Sequence, residues 1–196
     1  MTRRELLALG LSVPAASLLS RTLGASQDLS KFAAGGPPIC TDTRKLTPAA
    51  DDKQFRPGSP GRTWLVEAGM EGKRFTLTGA VVGIRCGAIK GAAIEVWQAD
   101  ARGVYDPTGF RLRGHQVTDE NGAYKIVTIV PGAAGGEARH LGVRVHPPGK
   151  PLFTTLLFFS DDPGSAKDPA AKPELVMKVT DGPDGASATM DIVLDL

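Results

Sequence analysis

The residues best placed to do chemistry in this chain lie in the run His140-Leu141-Gly142-Val143-Arg144-Val145-His146. Leu141, Val143 and Val145 alternate with the other members, which predicts a strand with one face turned into a core. His140, Gly142, Arg144 and His146 then share the opposite face. Imidazoles on such a row can move protons near neutral pH or ligate a metal ion. His140 and His146 stand about 20 Å apart along a strand, too far to share one ion. A solvated sheet face explains the row equally well unless other residues converge on it. Other chemistries find less support. Residues 132–136 are glycine-rich but lack the Lys and Ser/Thr of a phosphate loop. No nucleophile-elbow pattern accompanies the histidines. Asp161-Asp162 suits a turn as well as a calcium ligand pair. Cys40 and Cys86 are too few for a metal site, and are either one disulfide or two separate buried thiols.

The elements that must position these residues read as strands. Phe75, Leu77 and Val81 alternate with Thr76 and Thr78. Ala92 to Gln98 forms a second strand. His115 to Thr118 and Ala123 to Ile129 flank the turn Asp119-Glu120-Asn121-Gly122. His140 to His146 and Phe153 to Phe159 pair around Pro147-Pro148-Gly149. Glu174 to Thr180 and Ala188 to Leu194 flank Asp181-Gly182-Pro183-Asp184-Gly185. Short strands at this spacing predict an all-β protein, a single β-sandwich over 64–196 with little helix. Residues 27–63 carry Pro37-Pro38, Pro48, Pro57 and Pro60, and read as an extended arm laid over it.

Composition agrees. The chain has 196 residues, 41% hydrophobic and 22% charged, which suits one globular domain rather than a disordered segment. A net charge of +2, with no basic stripe interleaved with aromatics, argues against nucleic acid as a partner. Residues 1–26 read as a twin-arginine signal peptide. Arg3-Arg4 precedes an apolar stretch from Leu6 to Leu19, and Gly24-Ala25-Ser26 supplies small residues. Export to the periplasm or beyond is the expectation, and no later segment is long enough to span a bilayer.

The stretch Ile94-Glu95-Val96-Trp97-Gln98-Ala99-Asp100-Ala101-Arg102-Gly103-Val104-Tyr105-Asp106 resembles the signature around the first iron-binding tyrosine of intradiol ring-cleavage dioxygenases. Phe110-Arg111-Leu112-Arg113-Gly114-His115-Gln116, Thr118-Asp119, Tyr124, and Thr128-Ile129-Val130-Pro131-Gly132 continue the resemblance in the same order. So do Leu152 to Phe159, Asp161-Asp162-Pro163, Pro173 to Met177 and Met190 to Leu194. The resemblance covers roughly residues 40 to 196. It implies a β-sandwich with ferric iron held at its edge by two tyrosines and two histidines. Phenolates are hard anionic donors that suit Fe(III). The implied substrate is a catechol-type diol, which the Lewis-acidic metal makes reactive toward oxygen.

Carried over residue by residue, the first tyrosine is Tyr105 and the first histidine is His140. The second tyrosine falls on Ala134, and the second histidine on Gly142. An arginine expected three residues before the first histidine falls on Glu137, and a glutamine of the late strand on Leu156. The candidates to supplement Tyr105 and His140 are His115, Glu137 and His146. Of these, Glu137 lies in a glycine-rich turn able to bend inward, giving a Tyr105, His140 and Glu137 set. Two functions follow. One is a dioxygenase with an altered iron site. The other is a binding or structural module of the same fold. The module reading is helped by the likeness of Gly91-Ala92 and Thr118 to Gly122 to transthyretin-like and carboxypeptidase-regulatory sandwiches.

Overall fold

The computed structural model describes residues 53–85 and 87–196. The expected signal peptide, the expected arm up to residue 52, Cys40 and Cys86 lie outside the described residues. Among the described residues no helix is long and apolar enough to cross a membrane.

Among the described residues ten strands form two five-stranded sheets. They are β1 (Arg74–Gly83), β2 (Ala93–Trp97), β3 (Arg113–Val117), β4 (Ala123–Ile129), β5 (His140–His146), β6 (Phe153–Phe159), β7 (Val176–Met177), β8 (Thr180–Gly182), β9 (Gly185–Thr189) and β10 (Ile192–Leu194). One sheet runs β3-β2-β5-β6-β7. The other is built on β1, with β4 antiparallel on one side and β9 and then β10 parallel on the other. Period-two alternation drives this arrangement. Phe75, Leu77 and Val81 of β1 and Leu141, Val143 and Val145 of β5 are wholly buried between the sheets. Phe75 meets Phe159 across the core with ring centroids 4.9 Å apart, a tilted aromatic pair.

The alternation at Glu174 to Thr180 predicts one strand, and the chain breaks it. Pro173–Leu175 is a 3₁₀ turn, leaving the two-residue β7. Pro173 fixes φ and brings no N–H, so it suits the first position of that turn and not a ladder. Ala188 to Leu194 is likewise two strands. Between them the Met190 N–H donates to the Thr78 carbonyl at 2.8 Å, and Asp191 Oδ1 accepts the Ala80 N–H at 2.9 Å. This crossing needs Gly79, because a Cβ there would stand 2.6 Å from the Met190 carbonyl carbon.

Residues 59–65 stitch the two sheets together. The His115 N–H of β3 donates to the Pro60 carbonyl at 3.0 Å. The Val127 N–H of β4 donates to the Thr63 carbonyl at 2.7 Å, and Leu65 returns a bond to the Val127 carbonyl at 2.8 Å. Leu65 is wholly buried. Arg62 donates to the Arg113 carbonyl at 3.0 Å and the Phe110 carbonyl at 2.5 Å. Edge strands of both sheets thereby gain partners for their main-chain groups.

Tyr124 closes this side of the core. It is 3% exposed, and its hydroxyl donates to the Met190 carbonyl at 2.6 Å. Burial, with the nearby Asp191 carboxylate, pushes its phenol far above the ordinary value near 10. The folded state therefore keeps this proton, while the unfolded chain releases it above about pH 10. Tyr124 should support the fold fully below that pH and progressively less above it. In an alkaline absorbance titration, Tyr124→Phe should leave the phenolate amplitude of the folded baseline unchanged and cost about 1 kcal/mol at pH 8. A drop in that amplitude would show that Tyr124 ionises inside the native protein.

Candidate functional site

His140 opens β5 and pairs across the ladder with Phe158 of β6. It is 6% exposed, and its ring lies 5.8 Å from the Phe158 ring. Its Nδ1 lies 2.8 Å from the Ala138 carbonyl, an acceptor, so Nδ1 carries the proton. That leaves Nε2 to accept from the Tyr105 hydroxyl at 2.9 Å. Glu137 Oε2 stands 4.0 Å from the same Nε2, on a side chain 66% exposed. The three residues singled out in the sequence are thus brought together.

Tyr105 is delivered by a loop that two aspartates tie down. Asp100 Oδ1 accepts the N–H groups of Arg102 and Val104 at 2.9 and 3.0 Å, and the Asp100 carbonyl accepts from Gly103 and Gly132. Asp106 accepts three backbone N–H groups, from Thr108, Gly109 and Arg111, at 3.1, 2.8 and 2.9 Å. Those donors hold its carboxyl down at about 2. The loop meets the 131–134 turn backbone to backbone. Gly103 has φ +81°, and a Cβ on it would stand 2.8 Å from the Ala133 carbonyl carbon. Gln98 anchors the loop's start. Its amide donates to the Ile129 carbonyl at 3.0 Å and accepts from the Thr128 hydroxyl at 2.7 Å, with Gln98 only 1% exposed.

The outer face of β5 is covered at His140 and Gly142 and open only towards His146. Gly142 lies opposite Trp97 of β2 and Leu156 of β6. The Trp97 indole, 1% exposed, lies over Gly142. A Cβ at 142 would stand 2.6 Å from Trp97 Cζ2 and closer still to Cε2 and Nε1. Phe55 meets that indole edge-on at 5.3 Å and 70°, and the Arg144 guanidinium sits 3.2 Å over the Phe55 ring. A side chain at 142 would therefore require the packed indole to shift. Ala134 brings a methyl to the half-buried turn where the second tyrosine would stand.

The remaining histidines are elsewhere. His115 Nδ1 is 2.9 Å from the Ser59 carbonyl, holding residues 59–61 to β3, and His146 is exposed at the far end of β5. Among the described residues no three His, Cys, Asp or Glu side chains cluster as a metal site. The four-donor ferric centre of the resemblance does not fit these residues. Two of its donors are present, and Ala134 and Gly142 stand where the other two would be. The sequence reading names Trp97 and Asp100 only as members of the signature stretch and gives them no role, and it passes over Phe55. Only the 97–142 pairing makes Trp97 relevant, and that pairing is a matter of register.

Comparison with known proteins agrees with the fold. The dioxygenase family model matches residues 61–196. The dioxygenase domain of a dioxygenase–carbohydrate-binding fusion from Streptomyces sp. SirexAA-E is 39% identical, covering 78% of this chain and 99% of that one, with a TM-score of 0.74. An intradiol ring-cleavage dioxygenase from Tetranychus urticae has the same fold, with TM-score 0.65 and 22% identity over 72% of this chain and 89% of that one. Catechol 1,2-dioxygenase of Acinetobacter baylyi is 43% identical over 51 residues, which are 22% of this chain and 16% of that relative's length.

The Trp97 contact sets a stability expectation. Gly142→His should cost roughly 3 kcal/mol through overpacking, lowering Tm by about ten degrees. Trp97→Ala combined with Gly142→His should recover part of that loss. A Gly142→His variant that melts with the wild type in a calorimetric scan would show that the indole is free to move aside.

Proposed function

The chain belongs to the intradiol ring-cleavage dioxygenase family, and from that premise we propose a member whose ring-opening centre has been dismantled while its fold serves as a binding module. The observation that carries this reading is Gly142, which brings no donor to the place of the second histidine and packs its backbone directly under the Trp97 indole. Ala134 and Leu156 remove further polar groups from the same region. The ligand class is a catechol-type diol, by analogy with the named relative. Two groups suit such a ligand in its neutral form. The Tyr105 hydroxyl can donate or accept, and the exposed Glu137 carboxylate can accept from a diol hydroxyl. The Arg3-Arg4 segment supports export of the folded protein, and recovery only in the cytoplasmic fraction would argue against it.

One observation favours a second reading, an enzyme with an altered iron site: Tyr105 Oη and His140 Nε2 are as close as two neighbouring ligands of one ion. Oxygen uptake and product absorbance decide between the two. Protein incubated with Fe(III) and supplied with catechol or hydroxyquinol should show no ring cleavage above the protein-free background. The same diols should nevertheless bind in calorimetry. Turnover that Tyr105→Phe abolishes would establish the enzyme instead.

A further inference from the structure

We propose that the outer face of the sheet built on β1 binds a uronate-bearing polysaccharide, with Trp64 as its stacking platform. This face belongs to the other sheet from His140, so the proposal does not rest on the diol reading. Trp64 is 52% exposed, whereas Trp97 is 1% exposed. The exposed indole is nonetheless held in place. The Thr63 carbonyl accepts the Val127 N–H, the Leu65 N–H donates to the Val127 carbonyl, and the Leu65 side chain is wholly buried. The Arg74 guanidinium lies 5.2 Å from the centroid of the Trp64 ring. An aromatic fixed on both sides by its backbone loses little freedom when a ligand stacks on it, which favours binding.

Hydroxyls extend from that platform across the sheet. Thr76 and Thr78 alternate with the buried Phe75 and Leu77, so they point outward. The ladder sets Trp64, Val127, Thr76 and Ser187 side by side on four neighbouring segments, a row about 14 Å long. Thr78 heads a second row between Lys125 and Thr189, and its hydroxyl lies 3.2 Å from that of Thr189. Such a strip suits a sugar chain, whose C–H face stacks on the indole while its hydroxyls meet threonine and serine. Charge selects among sugars. Arg74 and Lys125 are exposed on this face, and β1, β4 and β9 contain no Asp or Glu. A uronate carries its carboxylate at the ring edge. One residue can therefore stack on Trp64 and offer its anion to Arg74, whose planar fork fits a carboxylate. A nucleic-acid strand fits less well, because it asks for a continuous basic track and successive aromatics.

The test is electrophoresis of the purified protein through gels cast with polygalacturonate, paired with tryptophan fluorescence. Polygalacturonate should retard the protein, and neutral amylose should not. Because Trp97 is buried, a blue shift and shielding from acrylamide on adding polygalacturonate would report Trp64. Trp64→Ala should weaken binding by about tenfold, while Trp64→Tyr should keep most of it. Lys125→Gln should weaken binding by about threefold and flatten its dependence on salt. Both side chains are exposed, so the variants should fold as the wild type does. Absence of retardation, or retardation unchanged in both Trp64→Ala and Lys125→Gln, would overturn the proposal. So would tighter binding to dextran sulfate or to single-stranded DNA than to polygalacturonate.

Discussion

The register between β2 and β5 governs the rest of the molecule. Ile94 and Val96 face the same core as Val145 and Val143, and the ladder pairs them directly. With those partners fixed, Trp97 has no choice but to stand beside Gly142 on the outer face. A slip of one residue would expose the apolar row of β5 and bury the arginine row, which no local gain could offset. The same register sets His140 two residues beyond the end of β2, where the chain leaves for the Tyr105 loop. The hydrophobic core therefore decides which outer-face groups meet, although none of them lies within it.

Much of this could be read in the chain itself. Alternation located β1 and β5, the Pro147-Pro148-Gly149 turn located β6 beside β5, and the Asp119 to Gly122 turn located the passage from β3 in one sheet to β4 in the other. Where alternation was interrupted by backbone chemistry, the reading failed. Pro173 turned an apolar run into a 3₁₀ turn, and Met190-Asp191 bent a single strand into two. At the site, Tyr105, His140 and Glu137 were legible because their types and order resemble a known pattern. Trp97 was not, because a tryptophan in an apolar strand reads as ordinary core. Its weight comes from the residue opposite it, 45 positions away. The solvated face considered for the β5 row is likewise replaced by aromatic packing that begins with Phe55, in a segment whose sequence predicts only an extended arm.

The loop that carries Tyr105 shows how position is held without regular structure. Asp100 and Asp106 each gather backbone donors that a strand or helix would otherwise satisfy. Two glycines let this loop and the 131–134 turn touch through their main chains, leaving no side chain between them to repack. The hydroxyl of Tyr105 is thus aimed by backbone geometry, while its partner His140 is aimed by a strand. The contact between the two is the meeting of a rigid ladder with a loop held by carboxylates.

The indole over Gly142 also bears on how such a protein can change over generations. A histidine at 142 meets an aromatic wall, and removing the wall first leaves a hole between Phe55 and β5. Either single step passes through a less stable molecule, and neither alone returns a ligand. Placing a donor at 142 requires two substitutions that are each unfavourable alone. Packing of this kind acts as a ratchet on which side chains position 142 can accept.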